Sequence, residues 1–142
     1  VRDINSKVAR RRLPGGYPLV LIVEDDKLQQ KLYNLIAEQV QMMPVIVDSC
    51  RDAVEAAASS HFDLIFLDLQ MPDANGIECA DRLRLVPNVR DNGTPIIAVT
   101  AHAMPGDRER CLSAGMDDYL SKPFTLLELK NKISQWSIRR TA

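Results

Sequence analysis

The chain has 142 residues, enough for one domain with a substantial core. Charged residues make up 26% and the formal net charge is −1, a balance that provides no bulk attraction to nucleic acid or to a membrane surface. No apolar run approaches a membrane span, no signal peptide opens the chain, and three cysteines without Cys-x-x-Cys spacing argue against a disulfide scaffold or a zinc site, predicting buried thiols in a reducing cytosol.

Residues 1–16 read as a leader or linker. Val1 to Arg12 is polar and basic, with Arg10-Arg11-Arg12, and Pro14-Gly15-Gly16 punctuates it. So short a run reads as a solvated segment rather than an anion-binding arm, and it suggests a domain joined to something upstream. The domain itself is expected over 17–138, with a tail at 139–142. Strands are expected near 18–24, 44–48, 63–68, 95–100 and 117–121. Helices alternate with them. Leu28, Leu32, Leu35, Ile36 and Val40 recur at helical spacing and predict one apolar face. Ala53 to Ala58 predicts a small-residue helix, and Ile77 to Val86 a third, entered after the turn Pro72-Asp73-Ala74-Asn75-Gly76. A fourth, about 106–114, stops at Gly115, which suits a left-handed cap. The fifth starts at Thr125, with Glu128 completing a capping box, and lines up Leu126, Leu129, Ile133 and Trp136. Five strand–helix units predict an α/β doubly wound, five-stranded parallel sheet with right-handed crossovers.

In such a sheet, ligands bind beyond the carboxyl ends of the strands. Four apolar runs end there in chemistry: Glu24-Asp25-Asp26 after the first, Asp68 after Leu64 to Leu67, Thr100 after Ile96 to Val99, and Lys122-Pro123 after Tyr119 to Ser121. Two like charges at about 4 Å repel by on the order of 4 kcal/mol at an effective dielectric near 20, so clustered acids raise a pKa or recruit a cation. An oxygen-only ligand set points to Mg²⁺ or Mn²⁺. Asp68 can attack phosphorus to give an acyl phosphate. Thr100 and Lys122 offer a hydroxyl and a fixed positive charge for phosphoryl oxygens. Singly, each residue reads as a solvated strand end or a helix cap; the weight lies in the set.

Residues 18 to about 138 resemble a response-regulator receiver domain of two-component signalling. The motifs are Leu21-Ile22-Val23-Glu24-Asp25-Asp26, Asp68-Leu69-Gln70-Met71-Pro72, Val99-Thr100-Ala101 and Lys122-Pro123-Phe124, in family order. Separations of 43, 32 and 22 residues between Asp25, Asp68, Thr100 and Lys122 are also family-like. The resemblance implies a (βα)5 flavodoxin-like fold. It makes Asp68 the phosphoacceptor, and Asp25, Asp68 and the Gln70 backbone carbonyl direct Mg²⁺ ligands, with Glu24 acting through water. Asp26 is expected to point away into the loop. Thr100 and Lys122 would hold phosphoryl oxygens, and Lys122–Pro123 would be cis. Thr100 and Tyr119 would form the switch, altering the surface around the fourth helix, fifth strand and fifth helix. Gln70 and His102 stand at variable positions that tune the phosphoryl lifetime; His61 is expected at the surface.

The wording Thr100-Ala101-His102-Ala103-Met104 and Gly115-Met116-Asp117-Asp118-Tyr119 resembles receivers attached to hybrid sensor histidine kinases. That implies a cytoplasmic C-terminal receiver, the parent kinase being able to carry a membrane anchor. Its donor would be a kinase phosphohistidine and its acceptor a histidine phosphotransfer domain. It also implies self-phosphorylation and autodephosphorylation chemistry, and no DNA-binding output domain. A stand-alone single-domain regulator is the alternative, and a phosphate-independent receiver-like binding module a second. An aspartyl phosphatase of the haloacid-dehalogenase type wants an acid two residues past its nucleophile, where Gln70 stands. A dinucleotide-binding domain wants a glycine-rich first turn, where the acids stand.

Overall fold

The computed structural model describes residues 16–71, 73–101 and 105–141, with side chains in the last segment up to residue 137. The Arg10-Arg11-Arg12 leader, Pro72 and His102 lie outside the described residues. Five strands, β1 (Leu19–Val23), β2 (Met43–Val47), β3 (Leu64–Asp68), β4 (Ile96–Thr100) and β5 (Asp118–Ser121), form one parallel sheet in the order β2-β1-β3-β4-β5. This is the doubly wound, flavodoxin-like arrangement the sequence predicts. The five longer helices are α1 (Lys27–Val40), α2 (Cys50–Ser59), α3 (Gly76–Leu85), α4 (Asp107–Ser113) and α5 (Leu126–Thr141). The last continues into the residues expected as a tail. A one-turn helix, Pro87–Arg90, follows α3, opened by a proline whose missing N–H costs nothing at a first helical position.

The central strands β1, β3 and β4 are apolar up to their carboxyl ends because both of their faces are covered. Alternate residues serve opposite layers. Leu21, Val23, Ile65, Leu67, Ile96 and Ala98 pack towards α2, α3 and α4. Val20, Ile22, Leu64, Phe66, Ile97 and Val99 pack towards α1 and α5. Small residues on α2 (Cys50, Ala53, Ala57) let that helix sit close to the sheet.

Caps fix where the helices begin. Thr125 Oγ1 accepts from the Glu128 amide at 3.1 Å and Glu128 Oε1 from the Thr125 amide at 2.8 Å, the predicted capping box. Gly115, just past α4, has φ +94°, as expected for its left-handed position. Two expectations need correcting. On α1 the core face is Tyr33, Ala37 and Val40, whereas Leu28, Leu32 and Leu35 are exposed to 73%, 41% and 77%. Two apolar stripes run along this helix, and the sheet lies against the one that holds Tyr33, Ala37 and Val40. Cys50 and Cys79 are joined as a disulfide rather than standing as free thiols; their Cα atoms are 5.6 Å apart although 29 residues separate them in sequence. Cys111 remains a buried thiol.

Candidate functional site

Parallel register assembles the site. Val23 stands opposite Leu67, Asp68 opposite Val99, and Thr100 opposite Ser121. The ladder runs one residue further: the Glu24, Leu69 and Lys122 amides donate to the carbonyls of Val47, Val99 and Thr100 at 2.9, 3.1 and 2.8 Å. Glu24, Asp68, Thr100 and Lys122 are thereby brought to one edge of the sheet.

Lys122 Nζ donates to Glu24 Oε1 at 2.7 Å and to Asp68 Oδ2 at 3.2 Å. The other oxygen of Asp68 accepts from the Gln70 amide at 2.9 Å, and Glu24 Oε2 accepts from the Asp26 amide at 3.1 Å. Glu24 is 1% exposed and Asp68 8%, while Asp25 is open to solvent. Burial pushes Glu24 above the usual carboxylate range, with Lys122 pulling against it. Burial alone would lower Lys122, but its bond to Glu24 and the Asp68 charge outweigh that and hold the ammonium charged. Burial likewise pushes up the Tyr33 phenol, aided by the charges of Glu24 and Asp68.

Carboxylate oxygens of Glu24, Asp25 and Asp68 lie within 4.8 Å of one another. Three acids against one ammonium leave an excess of negative charge. The hard oxygen set, buried on one side and open through Asp25 on the other, fits a small divalent cation that keeps some of its water.

Thr100 is buried at the end of β4. Asp26 does turn away from the cluster and has a definite task there: its Oδ1 accepts from the Leu28 and Gln29 amides, capping α1. The Lys122–Pro123 bond is cis. Tyr119 is half-buried against the α2–α3–α4 layer, and its hydroxyl has no hydrogen-bond partner among the described residues. His61 is half-buried, its Nδ1 3.0 Å from Asn92 Nδ2.

Sequence reasoning missed three features, two near this edge and one at the opposite end of β5. Asp73 accepts from the Cys50 and Arg51 amides at 3.0 and 3.2 Å, and the Cys50 amide chiefly holds its carboxyl below the usual range. The Cys50–Cys79 bond lies beside it. Buried Asp118 takes Lys132 Nζ at 2.7 Å and Trp136 Nε1 at 2.9 Å on a single oxygen. Of these, only Asp118 and Lys132 carried a local signal, as opposite charges near the start and middle of a strand–helix unit.

A family model described as the response regulator receiver domain matches residues 20–134. The chain belongs to the response-regulator receiver family. This receiver is 41% identical over 117 residues to the signal transduction histidine-protein kinase BarA of Shigella flexneri, covering 82% of this chain but only 12% of that protein. It is also 37% identical over 107 residues to the polar-differentiation response regulator DivK of Brucella ovis, covering 75% of this chain and 85% of that one. Among solved structures, the receiver domain of the sensor histidine kinase PA1611 of Pseudomonas aeruginosa PAO1 aligns with a TM-score of 0.76 at 35% identity, over 85% of this chain and 98% of that one. That crystal structure has a magnesium ion coordinated in the active-site cleft. The co-crystal structure of the Saccharomyces cerevisiae phosphotransfer protein Ypd1 with the Ssk1 receiver aligns with a TM-score of 0.77 at 29% identity, over 89% and 92% of the two chains.

Proposed function

We propose that this receiver accepts a phosphoryl group on Asp68 from a phosphohistidine, as one step of a phosphorelay. The observation that carries the reading is the meeting of the Asp68 carboxylate with the Lys122 ammonium and the carboxylates of Glu24 and Asp25 at one sheet edge. An Asp68 oxygen forms the new O–P bond as the N–P bond of the donor breaks. Its electron pair returns to the imidazole, which takes up a proton on release. Lys122, already bonded to Asp68, is placed to follow charge onto a phosphoryl oxygen, and Thr100 offers a hydroxyl to another. Asp25, Asp68 and the Gln70 carbonyl would hold Mg²⁺ directly and Glu24 through water, and the ion would supply neutralisation of phosphoryl charge. Gln70 and His102 are assigned to control of water access, and hence of the phosphoryl lifetime.

Tyr119 is the proposed switch with Thr100. A buried hydroxyl without a partner carries a desolvation cost, which favours a side chain that finds its partner in a second state. The surface that responds is that of α4, β5 and α5.

The likeness to BarA supports origin as a receiver of a cytoplasmic hybrid-kinase region, relaying to a histidine phosphotransfer domain. The exposed Leu28, Leu32 and Leu35 stripe supports the same partner. It lies on the helix that starts three residues after Glu24, so a helical bundle docked there would bring a histidine to the acids. The Ypd1 complex of a related receiver supports that class of partner. The likeness to DivK favours a second reading, a stand-alone regulator, which uses the same chemistry with a different destination.

Intact mass after incubation with Mg²⁺ and acetyl phosphate, and separately with a phosphorylated kinase or phosphotransfer domain, tests the assignment. One hydroxylamine-labile phosphoryl adduct is expected, absent in Asp68→Asn and after chelation. An adduct that persists in Asp68→Asn would reject Asp68 as acceptor, and no adduct from any donor would leave the phosphate-independent module in its place.

A further inference from the structure

The loop joining β3 to α3, described at residues 69–71 and 73–75, is closed at its base by short-range bonds. The Gln70 amide donates to Asp68 Oδ1, the Gly76 amide to the Leu69 carbonyl at 3.0 Å, and Gln70 and Asn75 form a bridge. Its tip is held from elsewhere in the chain. Asp73 spreads its two carboxylate oxygens over the Cys50 and Arg51 amides, the first two of α2. The helix does not depend on that carboxylate for a cap. Ser49 Oγ already accepts from the Asp52 amide at 3.1 Å, and the amide of the exposed Arg51 can bond water. Leu69, Met71 and Ala74 of the loop also pack on the core beneath α2, α3 and α4, but among the described residues it is Asp73 whose hydrogen bonds tie the loop tip to α2. The anchor point is tied to the far end of the loop as well, since Cys50 is bonded to Cys79 in α3, the helix that the loop enters.

Resting on the phosphoacceptor reading above, we propose that Asp73 is a positioning residue for phosphoryl acceptance. By tying the loop tip to α2 it keeps Gln70 in place, and Gln70 serves the site twice. Its amide fixes one oxygen of Asp68, and its carbonyl is the assigned metal ligand. Asp73 touches neither phosphoryl group nor metal; it acts through Gln70.

Three variants separate this from general support of the fold. Asp73→Ala removes both acceptors, Asp73→Asn keeps one carbonyl oxygen, and Ser49→Ala weakens the same helix start without touching the loop. In metal-free protein, amide hydrogen exchange at Gln70 and Gly76 is expected to quicken in Asp73→Ala. Calorimetric Mg²⁺ affinity should drop by about tenfold, the lower end of what removing an outer-shell partner costs. Asp73→Asn should fall between Asp73→Ala and wild type in both measurements, and it remains informative if Asp73→Ala does not fold. Ser49→Ala should lower the unfolding midpoint while leaving loop exchange and Mg²⁺ affinity as in wild type. Wild-type exchange and affinity in both Asp73 variants would overturn the proposal, as would a Ser49→Ala that reproduces their losses. A wild-type chain that takes up neither Mg²⁺ nor phosphoryl group would overturn the phosphoacceptor reading itself, and the role of Asp73 with it.

Discussion

Lys122 is the counter-charge of a buried Glu24, and that pairing can be broken without altering the acceptor. Removing one partner of a buried ion pair leaves an uncompensated charge, which costs more than the pair contributed. Lys122→Ala is therefore expected to lose about 3 kcal/mol in urea titrations at neutral pH. The deficit should shrink as pH falls, because burial already raises the Glu24 pKa and protonation removes the orphaned charge. The variant should still bind Mg²⁺ through the carboxylates but accept phosphoryl about a hundredfold more slowly. An unchanged urea midpoint would mean that Glu24 has another counter-charge. At this scale the acids and the lysine were legible because each ends an apolar run, and strand ends of a parallel sheet share an edge. Asp73 was not. Its partners are 23 and 22 residues away, and in Pro72-Asp73-Ala74-Asn75-Gly76 an anchor and an ordinary turn residue look alike. The Cys50–Cys79 bond was hidden for the same reason, since it depends on how two helices meet.

Between elements, contact distance decides what is tolerated. A Cβ built on Gly76 would sit 2.5 Å from Leu69 Cδ2 and 2.6 Å from Leu69 Cα. The side-chain tip could rotate away, but the backbone atom directly follows the acceptor strand. Gly76→Ala should thus cost about 1–3 kcal/mol as overpacking. It should also slow phosphoryl acceptance, whereas wild-type stability would show that the loop yields freely. Helix α1 illustrates the opposite limit. Of its predicted face Val40 is buried and Ile36 packs on the core, but the three leucines are exposed and Tyr33 and Ala37 complete the buried face, because periodicity reports that a stripe is apolar and not which of two stripes meets the sheet. The exposed stripe makes its own prediction: Leu28→Gln with Leu35→Gln should change stability by no more than about 0.5 kcal/mol. Transfer to a phosphotransfer domain should fall while labelling by acetyl phosphate holds. Equal transfer rates would remove α1 from the docking surface. The one-turn helix Pro87–Arg90 lay below the resolution of periodicity, although its opening proline marked the place.

Over the whole molecule, acid stability tests the seam between β5 and α5. Burial by itself would raise the Asp118 pKa, but Lys132, the Trp136 indole and the Tyr119 amide outweigh it, leaving the carboxyl below its ordinary 3.8. A depressed carboxylate contributes stability above its unfolded pKa and loses it as pH falls through the folded value. Wild type should accordingly lose more of its thermal midpoint below about pH 4 than Asp118→Asn, which starts lower but has no such proton to take up. Parallel slopes in the two proteins would remove Asp118 from the acid response. The parallel sheet with two covered faces followed from five apolar runs alternating with helices, and its flavodoxin-like form from the family resemblance, but this seam joins groups 14 and 18 residues apart and emerged only with the packing. It also has an optical consequence. Trp136 is the chain's one tryptophan, and its indole N–H is bonded to Asp118, the residue next to Tyr119. The protein thus carries an unlabelled emission probe hydrogen-bonded to the strand that bears its proposed switch, on the opposite face of the sheet, so a rearrangement of β5 that reaches this seam is readable as a change in colour or brightness of a single fluorophore.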